Sequence, residues 1–315
     1  MRHAWVVVVL AACGGTEPEP MDTGWTTGAD VAQGAIQETA AVAVAGKVYL
    51  IGGLDDSEGT VARVQVYDTA TNTWSDGPPL PQPVHHANAI TDGTTIYVLG
   101  ALTNVTAIGD SYKLDPATDT QWTTLAPMSP GRERGAAVVG MLGDNIFVAG
   151  GLRNAGASDF LDVYQTVTNT WMPLTSMPAA RDHACGAELS GQLIVAGGRM
   201  VQTDSPRSEV WAYSVGSNTW EVRASMPTAR GGMGCGVVYD RLYTAGGEGN
   251  PAVASGVFPN VEEYVYSTDT WTRLADMPNP KHGVGGAAWN GALYLCGGAS
   301  MEGVGAIATT DVFRP

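Results

Sequence analysis

Residues 226–247 read MPTARGGMGCGVVYDRLYTAGG, and residues 261–271 read VEEYVYSTDTW. In order, they give a Met-Pro pair, a basic residue, two short apolar segments divided by a turn, a glycine pair, a tyrosine and a tryptophan. Residues 177–198, MPAARDHACGAELSGQLIVAGG, repeat the first half of this order. Short apolar and aromatic runs bounded by turn residues predict strands, so each copy predicts four of them.

Glycine pairs and tryptophans recur along the chain with one spacing. The pairs, of which one is Gly-Ala, stand at 52–53, 100–101, 150–151, 197–198, 246–247 and 297–298, and the tryptophans at 25, 74, 122, 171, 220 and 271. Both series step by 47 to 51 residues. A fixed period of about 50 residues with a double glycine indicates a repeat architecture. The pattern resembles the kelch-repeat family from about residue 21 to Pro315.

The resemblance implies an all-β fold, a six-bladed kelch-type β-propeller with four-stranded antiparallel blades. A lone four-stranded sheet exposes both faces, and radial stacking buries them. We therefore expect the repeated aromatic residues to pack between blades rather than to stack on a ligand. These residues are Tyr67, Tyr164, Tyr213, Tyr264, Trp74, Trp171, Trp220 and Trp271.

Trp25 has no module in front of it, and the last module stops at Phe313 without a tryptophan strand. The spacing from Trp25 to Gly52 matches the spacing in the other modules. We therefore predict that the first strand, around residues 22–27, completes the sixth blade and closes the ring.

Composition narrows the classes of function. The chain has 315 residues, 41 of them glycine, and a formal net charge of −15. Phosphate contacts dominate affinity for nucleic acid, so an acidic chain is a poor candidate for binding it. We expect a monomeric propeller without a nucleic-acid partner.

The first residues, MRHAWVVVVLAAC, combine a basic start with a short apolar run. Such a run is typical of a signal peptide rather than a membrane span. Its end, LAAC, resembles the bacterial lipoprotein processing box, which implies cleavage before Cys13 and lipidation of Cys13. We expect residues 1–12 to be a lipoprotein signal peptide, 13–20 a lipidated linker and 21–315 the propeller, in the cell envelope and on the outer membrane. An ordinary secretion signal is the alternative.

Polar side chains gather where each module enters its first strand. Sixteen residues before the glycines stand Arg134, Arg181, Arg230 and Lys281, and the next two positions add Gln37, Glu38, His85, His86, Asp182, His183 and His282. We expect the four cations to surround one mouth of the central channel. Convergent arginines suit the capture of a carboxylate. The alternative is that they satisfy loop carbonyls as part of the repeat.

Two further features are candidates for chemistry or recognition. Glu188 lies within an inner strand among apolar counterparts, where a lone carboxylate is costly unless it is paired. It is either an acid–base catalyst or the partner of a turn in a structural hydrogen bond. The loops 199–209 and 248–260 are the longest after the glycines, and variable loops on a rigid scaffold often carry specificity.

The sequence offers little evidence for metal or thiol chemistry. No HExxH or CxxC motif occurs, and we predict no metal site and no cofactor. After lipidation of Cys13, an odd number of cysteines remains, Cys185, Cys235 and Cys296, so at least one thiol stays free. Cys185 and Cys235 lie on inner strands of adjacent blades in registers that differ by one. We expect them to pack as small buried hydrophobic groups.

Fold alone does not assign function. The leading hypothesis is a membrane-anchored recognition module that binds a protein or glycan at its loop-rich face. The alternative is a carbohydrate-acting enzyme that resembles the kelch sialic-acid mutarotases, in which Arg134, Arg181 and Arg230 would hold the substrate carboxylate. A purely structural envelope protein is the third hypothesis.

Overall fold

The computed structural model describes residues 24–104 and 106–315. All regular structure in these ranges is β-strand, arranged as six four-stranded antiparallel blades around a central channel. The propeller predicted from the repeat is therefore confirmed. The predicted signal peptide, linker and lipidation site at Cys13 lie outside the described residues. Within those residues, no helix has the length and apolarity needed to span a membrane.

We number the blades 1 to 6 and give the strands from the channel outward. Blade 1 contains Ala40–Val44, Lys47–Ile51, Val64–Asp68 and Thr73–Asp76; blade 2 contains Ala89–Thr91, Ile96–Thr103, Thr106–Leu114 and Thr123–Leu125; blade 3 contains Val138–Leu142, Asn145–Ala149, Leu161–Gln165 and Thr170–Pro173. Blade 4 contains Cys185–Leu189, Gln192–Ala196, Val210–Ser214 and Thr219–Arg223; blade 5 contains Gly234–Val238, Arg241–Ala245, Val261–Val265 and Thr270–Arg273; blade 6 contains Gly285–Trp289, Ala292–Cys296, Thr310–Arg314 and Gly24–Gly28. Outside the blades, Ile36–Gln37 pairs with Leu54–Asp55 across the first two strands of blade 1, and Leu152–Arg153 forms a short hairpin with Gly156–Ala157.

Blade 6 closes the ring as predicted. Its outermost strand, Gly24–Gly28, pairs antiparallel with Thr310–Arg314, and Trp25 lies opposite Phe313. The two ring centroids are 4.9 Å apart. The N-terminal strand therefore supplies the tryptophan that the last module lacks.

Aromatic residues join neighbouring blades, also as predicted. In blade 3, the Trp171 indole donates a hydrogen bond of 2.9 Å to the carbonyl of Ala126 in the connection from blade 2. The Tyr164 hydroxyl donates to the Asn169 side chain, and the same side chain accepts from the Ala126 N–H. Asn169 has a φ of 54°, a left-handed conformation that asparagine tolerates. Blades 1, 4 and 5 repeat this arrangement, so packing and hydrogen bonding coincide at each junction.

The glycine pairs act at the opposite end of each blade. The N–H of the second glycine donates to a backbone carbonyl in the segment that leads into the innermost strand of the following blade. Gly247, for example, donates to the Lys281 carbonyl at 2.9 Å. Gly246 and Gly247 have φ values of 69° and 110°. A Cβ on Gly246 would overlap the Lys281 carbonyl oxygen, so close approach of two backbones requires glycine here. Blade 2 uses Gly-Ala because its second strand continues through Ala101.

Six backbone hydrogen bonds form a closed ring around one mouth of the channel. Each blade contributes one residue with positive φ whose N–H donates to the carbonyl of the preceding member, over distances of 2.6 to 3.1 Å. We call this set the mouth ring; its members are Glu38, His86, Ala136, His183, Gly232 and Gly283. The ring places six equivalent residues at the channel entrance, three of them with titratable side chains.

The cysteines differ in part from the prediction. Cys185 and Cys235 form a disulfide between the innermost strands of blades 4 and 5, with Cα atoms 6.1 Å apart. The stagger of the two strands brings positions one register apart within disulfide range, so the prediction of two separate thiols is wrong. Cys296 is free and buried, as the odd count requires.

Candidate functional site

Two sets of loops emerge on the same face of the propeller. One set follows the glycine pairs, and the other leads from each outermost strand into the next innermost strand. We call this side the loop-rich face. A cavity of about 450 Å³ opens on it above the channel, and its lining includes Glu38, His86, His183, Arg199 and Glu248.

The four predicted cations do not surround the mouth. Arg134 is fully buried inside blade 3, where its guanidinium donates to the carbonyls of Gly150 and Val148 and pairs with Asp162 at 2.8 Å. Burial lowers the pKa of Arg134 to about 10, although Asp162 opposes the shift. Arg230 is bound in the same way to Gly246 and Glu262.

Arg181 and Lys281 also point into their own blades. Lys281 pairs with Asp311 at 2.8 Å and donates to Thr309. In blade 4, Trp211 stands in the register position where blades 3, 5 and 6 have the acid, and the Arg181 guanidinium stacks over its ring at 4.7 Å. The prediction that these four cations surround the mouth is therefore wrong. Their side chains bind carbonyls and acids at the ends of their own blades, which is the alternative given in the sequence analysis.

The histidines and carboxylates of the following two positions do converge. His86 Nε2 lies 2.8 Å from His183 Nε2 and 2.9 Å from Glu38 Oε2, although the three residues belong to blades 2, 4 and 1. His85 binds His86 through Nδ1 at 2.5 Å and the Asn104 carbonyl through Nε2 at 2.7 Å. The mouth ring thus brings one carboxylate and two imidazoles together at the entrance.

Asp182 and His282 complete the group from the predicted set. Asp182 Oδ1 accepts from His183 Nδ1 at 2.5 Å, and Asp182 Oδ2 accepts from the Val201 N–H at 2.7 Å. His282 donates through Nε2 to the Met301 carbonyl at 2.7 Å, and its Nδ1 faces Glu38 at 3.7 Å.

Burial and charge set the protonation of this group. Burial alone would raise the pKa of Glu38, but the ion pair and hydrogen bond with His86 and the charges of His183 and His282 hold it well below its usual range. Burial lowers the pKa of His183, and the Arg199 charge adds to that shift. Burial and the charge of His86 lower the pKa of His85 to about 4. An anionic Glu38 therefore faces His85 and His183, whose burial disfavours the charged imidazolium form.

Sequence reasoning missed two members of the site, Arg199 and Glu248. Each follows a glycine pair directly, where other blades have Leu152 or Ala299. Arg199 donates to His183 Nε2 at 3.2 Å, pairs with Asp182 and binds Glu248. A charged residue at an otherwise apolar repeat position was the available signal.

Glu188 lies apart from this group, on the channel wall in the innermost strand of blade 4. Its Oε1 accepts a hydrogen bond of 2.7 Å from the Gly191 N–H in the following turn. Of the two interpretations of Glu188 given in the sequence analysis, this contact corresponds to the structural hydrogen bond with a turn.

A family model for the Kelch motif matches residues 38–81, 133–178, 180–227 and 229–278, which is more than half of the chain. The chain belongs to the kelch family. The matches correspond to blades 1, 3, 4 and 5 of the kelch propeller. The matches do not cover blade 2, which has Gly-Ala and an extended hairpin. They also do not cover blade 6, in which the strand Gly24–Gly28 pairs with Thr310–Arg314.

Curated relatives support the same assignment. The kelch chain is 33% identical over 322 residues to Kelch-like protein terF of Aspergillus terreus, covering 95% of this chain and 70% of that protein. It is 30% identical over 160 residues to Kelch-like protein 25 of Xenopus tropicalis and 26% identical over 254 residues to Kelch-like protein 36 of Bos taurus. The match to Kelch-like protein 25 includes 51% of this chain and 26% of that protein. The match to Kelch-like protein 36 includes 78% of this chain and 41% of that protein.

Proposed function

We propose that this kelch propeller is a recognition module that binds a protein partner on its loop-rich face. The observation that carries the proposal is a set of large apolar side chains exposed on the loops after the glycine pairs of blades 4, 5 and 6. They are Met200, Val201, Val253, Met301 and Val304, with 42 to 56% of their surface exposed. Exposed apolar residues grouped on neighbouring loops are typical of interaction sites.

The loops that carry these residues support one another. The Glu302 N–H donates to the Ser255 carbonyl at 2.8 Å, which links the loops of blades 6 and 5. The Gln37 amide donates to the Gly303 carbonyl at 2.8 Å and accepts from the Gly305 N–H at 3.0 Å, which links blade 6 to blade 1. Loops held in this way present a preformed surface, which lowers the entropy lost on binding.

Substitution of matched valines tests the proposal. One full-length variant replaces Val201, Val253 and Val304 by serine on the loop-rich face. The control replaces Val167 and Val222, which are 77 and 78% exposed but lie on a turn and an outermost strand. We expect cross-linking in cells followed by mass spectrometry to lose specific partners only in the loop variant. Equal cross-linking of all three proteins, or loss in the control alone, contradicts the proposal.

We further propose that the protein is exported and lipid-anchored at Cys13 to the bacterial outer membrane. The Cys185–Cys235 disulfide supports export, since disulfides persist in oxidising compartments. The strand Gly24–Gly28 begins at the face opposite the loops, so a short anchor there leaves the loop-rich face turned outward. Metabolic labelling with palmitate tests anchoring: label should enter the wild type and be absent from Cys13→Ser. An unlabelled wild type contradicts it.

A glycan partner belongs to the same proposal as an alternative occupant of the cavity. Stabilisation in a thermal-shift screen of acidic and neutral sugars would favour it, because ligand that binds the folded state raises the melting temperature. The carbohydrate-acting enzyme is not part of the proposal. Arg134, Arg181 and Arg230, its expected carboxylate clamps, are buried within their blades.

A further inference from the structure

The hydrogen bonds around the mouth ring fix the tautomers of three histidines. His85 Nε2 faces the Asn104 carbonyl and must donate, so the Nδ1 of neutral His85 is an acceptor. His86 Nδ1, 2.5 Å away, must then donate to it, which leaves the lone pair of neutral His86 on Nε2. His183 Nδ1 donates to Asp182, so the lone pair of His183 is on Nε2 as well.

Three acceptors therefore converge on one point. The two Nε2 lone pairs are 2.8 Å apart, and Glu38 Oε2 lies 2.9 Å from one of them. One ligand atom from each of the three residues can be chosen so that all lie within 4.8 Å of one another. Acceptors at these separations repel one another unless a cation lies between them, either a proton or a metal ion.

Charge around this point favours the metal ion over the proton. Glu38, Asp182 and Glu248 are buried carboxylates, and Arg199, which binds two of them, contributes one positive charge. With the histidines neutral, the formal charge of these four groups is −2. Buried charges require compensation, and one proton supplies only half of it.

Geometry and the surrounding contacts point the same way. Two donors that bind an octahedral metal ion at about 2.0–2.1 Å and at a right angle are about 2.9 Å apart, close to both observed separations, whereas the tetrahedral angle of most zinc sites would place them about 3.3 Å apart. The pairing of His183 with Asp182 is the carboxylate–histidine arrangement that orients metal-bound imidazoles. Among the described residues, the buried Nδ1 of His282 makes no hydrogen bond, and it faces Glu248 at 3.4 Å and Glu38 at 3.7 Å.

We propose that Glu38, His86 and His183 form a binding site for a divalent first-row transition metal at the mouth of the propeller. Two imidazoles and one carboxylate at right angles form the facial arrangement that suits Fe²⁺, and Zn²⁺ and Co²⁺ serve as probes of the same ligands. The three residues line the cavity of about 450 Å³ on the loop-rich face, so small ligands from solvent can reach the ion. Arg199 keeps its bonds to Asp182 and Glu248 and gives up its contact with His183 Nε2 when the metal binds.

The test uses the full chain without a polyhistidine tag, freed of metal with EDTA and dialysed. Isothermal titration with Zn²⁺ and visible absorption with Co²⁺ should each show one ion per chain. Glu38→Gln and His183→Asn should weaken binding by a factor on the order of a hundred, and Asp182→Asn by about 10–100-fold. Asparagine tolerates positive φ, so His183→Asn keeps the ring backbone. Glu188→Gln, on the channel wall away from the site, is the matched control and should bind as the wild type does.

The N-terminal His3 and Cys13 are present in every variant and cancel in the comparison. X-ray absorption of the metal-loaded wild type is independent of mutation and should show two imidazoles at the ion, even where a variant fails to fold. Absence of binding to the wild type at tens of micromolar metal overturns the proposal. So does equal binding by Glu38→Gln and His183→Asn, or an ion without imidazole ligands.

Discussion

Replacing Cys185 and Cys235 by alanine removes the covalent link between blades 4 and 5. The two residues are separated by 50 positions, and the chain-entropy relation for a closed loop of that length gives about 4 kcal/mol of stabilisation. The cross-link acts mainly on the unfolded chain, so the blades need not change in structure. We expect the double variant to lose about 4 kcal/mol of unfolding free energy.

Guanidinium unfolding followed by tryptophan fluorescence measures this loss. For a denaturant slope of roughly 5 kcal/mol per molar, the midpoint falls by roughly 0.8 M. A reducing agent should lower the wild-type midpoint by the same amount and leave the double variant unchanged. Cys296→Ala is the control: it removes a buried thiol outside the cross-link, so the reducing agent should still destabilise it.

Thiol titration supplies an independent check. The chain has four cysteines, and the disulfide leaves Cys296 to react in denatured, unreduced protein, together with Cys13 where Cys13 carries no lipid. A thiol count that does not rise by two on reduction, or a wild-type midpoint that a reducing agent does not shift, would refute the reasoning.

Three further predictions concern the blades. Arg230→Met leaves the buried Glu262 carboxylate without its partner and should cost about 3–5 kcal/mol in denaturant unfolding, whereas Arg273→Met, whose partner Asp276 is exposed, should cost about 1 kcal/mol or less; equal costs would contradict the buried pairing. Gly246→Ala places a Cβ against the Lys281 carbonyl at positive φ and should lower the melting temperature by several degrees, while Gly216→Ala, with open space around its Cβ, should leave it unchanged. Burial raises the pKa of Cys296 to about 12, so a disulfide reagent at pH 8 should fail to label this thiol in the folded protein and label it after unfolding; rapid labelling of the native thiol would count against its burial.

The fold was accessible from sequence because its determinants recur at one period. Trp25 without a module before it and Phe313 without a tryptophan after it are complementary, so ring closure followed from spacing alone. The packing of the repeated tyrosines and tryptophans between blades was accessible for the same reason, but the Asn or Asp side chain that joins each pair was not predicted.

The site was harder to predict because its geometry depends on side-chain direction and on contacts between blades. Arg134 begins near the mouth, but its guanidinium turns inward to Asp162, on a strand 28 residues further along. His86 and His183 meet although they are 97 positions apart, so no motif with local spacing reports them. The repeat did place both in equivalent positions, and superposing modules on a ring would have brought them together.

The mouth ring has a consequence for ligand binding. Every member both donates and accepts a backbone hydrogen bond, so no blade can tilt without disturbing its two neighbours and, through them, the remaining blades. The entrance is therefore rigid. The conformational entropy of the residues that form it is lost when the chain folds rather than when a ligand binds. Ligand selection at this mouth then rests on the chemistry of the four side chains that the ring carries, those of Glu38, His86, Ala136 and His183, with no closing motion of the backbone to add to it.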